Sequence, residues 1–175
     1  MRLFAALAPD PAALEKIRDF TARARQRVPL VKWTRPENIH LTLHFLGEMK
    51  EQDLPVIREG LASAAAGVAP FSFQLDKKGL FRGRGSSILW IGASDAAALL
   101  ALASRVQGAL RSFGDPKPFK AHLTIARAGR EVGEEELAAI PWEPSPYQCA
   151  TMHLIQSQLL PAGAKYTVLS EFPLK

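Results

Sequence analysis

Apolar and polar residues alternate through Asn38-Ile39-His40-Leu41-Thr42-Leu43-His44-Phe45-Leu46-Gly47, the pattern of a strand with one buried face. Residues two apart on a strand share a face. His40 and Thr42 therefore project together, with Leu41 and Leu43 on the other side. The same His-apolar-Thr-apolar order returns at His122-Leu123-Thr124-Ile125, and two of the chain's four histidines open these two copies. By the same parity His44 joins His40 and Thr42.

The surrounding pattern predicts an α+β chain. Residues 2–8 read as a first strand. Asp10 caps a helix with Pro11 at its first position, and Leu14, Ile17, Phe20 and Ala24 follow at helical spacing. Residues 31–34 form a short extended piece. Pro36-Glu37-Asn38 turns the chain into the His40 strand, which Gly47 ends. A helix over 53–66 and a strand over 71–75 come next. Lys77-Lys78-Gly79 reads as a turn and 81–87 as a glycine-rich connection. That connection lacks the Gly-Lys-Ser/Thr ending of a phosphate-cradling loop, and no helix follows it. Residues 88–91 are an apolar strand. A helix over 96–113 stops at Gly114, and Asp115-Pro116-Lys117-Pro118 makes a rigid turn into the His122 strand. A short helix over 134–140 and strands over 147–157 and 165–172, joined by a turn at 160–163, complete the chain.

Each half thus runs strand, helix, proline-containing turn, His-x-Thr strand, helix. This order reads as an internal repeat: one domain spanning 1–175, with two lobes near 1–85 and 86–175 and possible strand exchange between them. Packing about a pseudo-twofold axis would give an antiparallel sheet with flanking helices, the two His-Thr faces meeting across a groove between the lobes.

Composition changes this picture little. The chain is 175 residues long, 47% apolar and 22% charged, ordinary for a folded domain of this size. It has no apolar run of membrane-spanning length, and the stretch 3–9 is too short for a signal-peptide core. Cys149 is the only cysteine. An intrachain disulfide is therefore impossible, which suits the cytoplasm, and Cys149 reads as a small core residue. A net charge of +5 and a pI near 9.6 favour an anionic partner. Lys32, Arg35, Lys117, Lys120, Arg127 and Arg130 flank the two histidine strands in sequence.

Two histidines on opposite sides of a substrate can divide acid and base work near neutral pH. One takes a proton from water while the other gives one to a leaving oxygen, which in-line attack at phosphorus needs on opposite sides of the phosphorus atom. Threonine hydroxyls can hydrogen-bond the non-bridging oxygens. Such a site calls for neither metal nor cofactor. His40, His44 and His122 could in principle hold zinc, but no carboxylate or cysteine stands at suitable spacing to complete the set. His153 reads as structural or exposed.

These motifs resemble the 2H phosphoesterase superfamily, and within it the RNA 2′,3′-cyclic phosphodiesterases formerly called 2′-5′ RNA ligases. The resemblance extends through Arg2-Leu3-Phe4-Ala5-Ala6-Leu7, Trp33, Pro36-Glu37-Asn38-Ile39, Phe45-Leu46-Gly47-Glu48 and Leu89-Trp90-Ile91-Gly92. It continues through Pro118-Phe119-Lys120-Ala121 and on to Leu160-Pro161-Ala162-Gly163-Ala164-Lys165-Tyr166. It implies metal-independent hydrolysis of a terminal RNA 2′,3′-cyclic phosphate to a 2′-phosphate, with reversible 2′-5′ ligation as a side activity. It further implies His122 as general base, His40 as general acid, and Thr42 and Thr124 as phosphate holders. Phe45 would stack on the terminal base and Arg127 would bind substrate. Both stand at odd spacing from their histidines, so each requires a bend or strand end nearby. RNA is the implied partner; a monomer without a membrane or obligate protein partner is expected. Two other readings keep the same residues: a phosphodiesterase for small nucleotide or sugar cyclic phosphates, and a non-catalytic RNA-binding module.

Overall fold

The computed structural model describes residues 1–114, 118–161 and 163–175. Among these residues the strands are β1 (Arg2–Leu7), β2 (Val31–Trp33), β3 (Leu41–Glu48), β4 (Phe71–Leu75), β5 (Lys77–Gly83), β6 (Ser86–Gly92), β7 (His122–Ala128), β8 (Ser145–Cys149), β9 (Thr151–Leu160) and β10 (Gly163–Pro173). The helices are α1 (Pro11–Arg25), α2 (Leu54–Ala65), α3 (Ala97–Ala109) and α4 (Glu134–Ala138).

Eight of the described strands form one antiparallel sheet in the order β10-β9-β1-β3-β7-β6-β5, with β2 also paired to β7. The two His-x-Thr strands lie at its centre, joined through Leu41 and Leu123. β4 and β8 make a separate two-stranded sheet. The architecture is the α+β, two-lobed antiparallel arrangement with flanking helices that the repeat predicts.

One face of the main sheet carries the core. The alternation in β3 and β7 sends Leu41, Leu43, Leu123 and Ile125 into it, all nearly inaccessible to solvent. α1 adds Ile17 and Phe20, α2 adds Ile57 and Leu61, and α3 adds Leu99, Leu102 and Val106. Burying each such side chain contributes roughly 1.5–3 kcal/mol relative to exposure. Asp10 caps α1 by accepting from the amides of Ala12 and Ala13, each at 3.0 Å. Arg105 of α3 closes the C-terminal end of α2, donating to the carbonyls of Ala64 at 2.9 Å and Ala66 at 2.7 Å.

Several sequence expectations are corrected. Lys77-Lys78-Gly79 is not a turn: it opens β5, which pairs along its whole length with β6, and only Arg84 and Gly85 turn between them. Residues 147–157 are not one strand. The chain breaks at Ala150, so β8 pairs with β4 while β9 joins the main sheet beside β1. The helix expected over 96–113 is α3, ending at Ala109. Gly47 does not end its strand; it lies within β3 at a positive φ of 79°. The expected turn at 115–118 lies outside the described residues except for Pro118, as does Ala162 of the 160–163 turn.

Candidate active site

A groove of about 640 Å³ opens above the junction of β3 and β7, lined by His40, Thr42, His122 and Thr124. Antiparallel pairing of Leu41 with Leu123 sets His40 across from Thr124 and Thr42 across from His122. Each histidine therefore stands beside the other copy's threonine, on the face opposite the buried leucines.

The two imidazoles are held alike. Nδ1 of His40 lies 2.7 Å from the carbonyl oxygen of Asn38, and Nδ1 of His122 lies 2.8 Å from that of Lys120. A carbonyl only accepts, so each contact needs a proton on Nδ1. Nε2 is thus left in both rings as the nitrogen that can exchange a proton with a substrate. Burial holds both imidazoles below the usual histidine pKa, and the carbonyl contacts act in the opposite sense. The positive charge of Arg127 pushes both further down; His122 adds to this at His40, and Lys120 at His122.

Aromatic rings fix each imidazole from its own side. Phe4 of β1 lies 4.7 Å from the His40 ring and Tyr166 of β10 lies 5.2 Å from it, edge-on. Phe81 of β5 meets His122 edge-on at 4.9 Å and carries the Lys120 ammonium at 5.0 Å. Such contacts restrict ring rotation.

Phe45 and Arg127 both reach the groove, and a local break in each strand explains how. Along β3, Ala6 pairs with Thr42 and Ala5 with His44, so Leu43 is an extra residue. Along β7, Leu89 pairs with Ala126 and Trp90 with Thr124, so Ile125 is extra. Each is a β-bulge at the fourth position of its motif, and a bulge re-aims the side chains that follow. Two consecutive residues are buried in each copy, Leu43-His44 and Ile125-Ala126, and the next residue emerges on the groove face. Both outward residues sit five positions after their histidine.

The bulge also corrects the position of His44. It is 4% exposed, and its Nε2 lies 2.8 Å from the carbonyl of Phe113 in the turn after α3. It faces the core, away from His40 and His122. Among the described residues, no three of His, Cys, Asp and Glu cluster as metal ligands would.

The groove is strongly cationic. Arg2, Lys32, Arg35 and Arg127 line it, and no carboxylate does among the described residues. Arg2 stacks its guanidinium 4.9 Å from the Phe45 ring. The tip of the β9–β10 hairpin forms one wall with Leu159, Leu160 and Tyr166, tied to the 3₁₀ turn before β3 by Asn38 Nδ2 donating to the Ala164 carbonyl at 2.8 Å. Roles for Arg2, Phe4, Lys32 and Tyr166 escape a motif reading because these residues come from other strands. Arg2, Phe4 and Tyr166 fall in segments that carry the family resemblance; for Lys32 the signal in the sequence is its positive charge alone.

A shared groove with paired His-x-Thr strands defines the architecture of the 2H phosphoesterases. The chain belongs to the 2′-5′ RNA ligase superfamily, whose family model matches residues 8–159. It is 36% identical to an RNA 2′,3′-cyclic phosphodiesterase of Archaeoglobus fulgidus, over 98% of this chain and 99% of that one. The fold superposes on a crystal structure from Thermus thermophilus with a TM-score of 0.83 and 28% identity, covering 99% of this chain and 98% of the other. It is also similar to Escherichia coli LigT complexed with 3′-AMP, with a TM-score of 0.78 and 25% identity, covering 99% and 97% of the two chains. Among the described residues, no helix is long and apolar enough to cross a membrane.

Proposed function

We propose that the protein hydrolyses the 2′,3′-cyclic phosphate at the end of an RNA to a 2′-phosphate, without a metal or nucleotide cofactor. The observation that carries this reading is the matched pair of histidines, each with Nδ1 on a carbonyl two residues earlier and each facing the same cationic groove. A purely binding role leaves that matched tautomer control without a purpose. The relative named for this reaction, matched end to end, supports the substrate class, as does the 3′-AMP held by the E. coli structure.

In this mechanism His122 is the general base and His40 the general acid. Nε2 of His122 takes a proton from water as the water oxygen bonds to phosphorus. The bond from phosphorus to the 3′ oxygen breaks, and that oxygen takes a proton from Nε2 of His40. Thr42 and Thr124 donate hydrogen bonds to the non-bridging oxygens, where charge grows in the transition state. Phe45 stacks on the terminal base, and Arg127 binds the substrate RNA. With a 2′-5′ linked RNA the same groups run the ring closure, and in reverse they join ends, as a side activity.

The two lobes, near 1–85 and 86–175 in sequence with strands exchanged between them, act as one catalytic unit, and one copy of the chain completes the groove. The reading therefore expects a monomer, acting on RNA in the cytoplasm. Incubating a short RNA with a cyclic phosphate end and separating the products tests it. Loss of the cyclic end is expected. RNA that binds without turnover would instead mark a binding module, and turnover confined to small cyclic phosphates would move the substrate class.

A further inference from the structure

We infer that Lys32 and Arg127 form a second phosphate site, one nucleotide upstream of the histidines, which grips the internal phosphodiester of an RNA ending in a cyclic phosphate. The inference rests on the activity proposed above and extends it from the reacting end to the body of the substrate.

The basis is a pairing that is unfavourable without a ligand. β2 is three residues long and pairs with β7 through Val31–Ala128, Lys32–Arg127 and Trp33–Ala126. The Thr34 amide extends the contact, donating to the carbonyl of the bulged Ile125 at 2.9 Å. Directly paired residues on adjacent strands share a face with Cβ atoms roughly 4.5–5.5 Å apart, and like charges there repel. Lys32 and Arg127 are such a pair, both exposed and both lining the groove. Among the described residues neither has a carboxylate partner within salt-bridge distance. An anion placed between them turns the repulsion into two charge-assisted hydrogen bonds.

The position of the pair selects the phosphate. His122, Thr124 and Arg127 form a row along β7, and Lys32 flanks its far end. Thr124 and Arg127 are three residues apart with a bulge between them, no more than about 10 Å, a gap that one extended nucleotide bridges. With the reacting phosphate over Thr124 and the terminal base on Phe45 in the other lobe, the next phosphate falls at Lys32 and Arg127. Beside the pair, Trp33 stands opposite Ala126 and also lines the groove, its ring carrying the Arg25 guanidinium of the basic end of α1 at 5.8 Å. The RNA body leaves the groove in that direction, over β2.

The test compares kcat/KM for a dinucleotide ending in a 2′,3′-cyclic phosphate with that for a mononucleoside 2′,3′-cyclic phosphate, which lacks the internal phosphate. The unmodified protein is expected to favour the dinucleotide. Lys32→Ala should lower the ratio about tenfold, through KM, and reduce the salt dependence of dinucleotide binding by about one phosphate contact. Lys32→Arg should restore the ratio. Replacing the internal phosphodiester by a neutral methylphosphonate should lower the ratio for the unmodified protein and remove its sensitivity to Lys32→Ala. A ratio that Lys32→Ala does not move, or a sensitivity that survives the methylphosphonate, overturns the inference. Absence of turnover of both substrates by the unmodified protein overturns the proposed activity itself.

Discussion

Leu41 of β3 pairs with Leu123 of β7, and the histidines preceding these two leucines lie diagonally across the joint. One pairing between two buried leucines thus sets the relation between the two groups proposed to move protons. It also separates stability from chemistry: the leucines face the core while the histidines face the groove.

Removing either imidazole should therefore stop turnover without unfolding the protein. His40→Ala and His122→Ala are each expected to lower kcat by about 10²–10⁴-fold, the usual worth of a positioned acid or base. Thermal melting measured beside the kinetics should show both variants folded. Unfolding of both would mean that the rings serve packing against Phe4, Tyr166 and Phe81 instead.

Burial and neighbouring positive charge lower both histidine pKa values below the usual 6.5. The reaction needs one ring protonated and one neutral, so kcat/KM should follow a bell whose apex lies on the acid side of pH 6.5. A bound phosphate anion favours the imidazolium forms, so the kcat profile should be displaced towards higher pH. Linkage has the same origin. The unfolded chain binds more protons at these sites, so stability falls as pH drops from 6.5 towards the folded-state values, and an anion in the groove reduces that fall. A rate that is flat from about pH 5 to 9 contradicts this account.

Phe45 is 42% exposed, so shortening it costs little core packing. Stacking of a base on an aromatic ring is worth about 1–3 kcal/mol. Phe45→Ala should accordingly raise KM by about 5–150-fold with nearly unchanged melting temperature. Titration with a 3′-nucleotide in a calorimeter reports the same loss as weaker binding.

The setting of Phe45 depends on the turn after α3. Gly114 has a φ of +77°, and a Cβ there would meet the Phe45 carbonyl oxygen at 2.3 Å and Leu46 Cα at 3.0 Å. Gly114→Ala combines a left-handed backbone with a backbone clash. At roughly 1–2 kcal/mol, and about 2–4 °C per kcal/mol for a chain of this size, it should lower Tm by about 2–8 °C and raise KM by displacing the bulged strand. A melting curve together with steady-state kinetics reads both effects.

The two motifs and the fold class were legible because alternation, capping and repetition are local signals. Asp10-Pro11 opens α1 as its composition dictates, and the leucines between each His and Thr are buried. The groove residues after the motifs were not legible by parity. A bulge adds one residue without changing the apolar–polar text, so Leu43 reads as ordinary alternation while it turns His44 inward and Phe45 outward. Lys77-Lys78-Gly79 resembled a turn because two charges and a glycine are poor strand formers; pairing with the apolar β6 overrides that propensity. The break at Ala150 divides what reads as a continuous strand between two sheets, which depends on partners far away in sequence. Arg2, Lys32 and Tyr166 gain their place through β1, β2 and β10, and only the assembled sheet brings them to one groove.

The most direct test of the central claim is the identity of the product formed in chelator. A short RNA ending in a 2′,3′-cyclic phosphate, incubated with the protein in EDTA, should be converted to RNA bearing a 2′-phosphate, placing the proton donor beside the 3′ oxygen. A 3′-phosphate product, or activity that EDTA abolishes and added metal restores, would contradict the account.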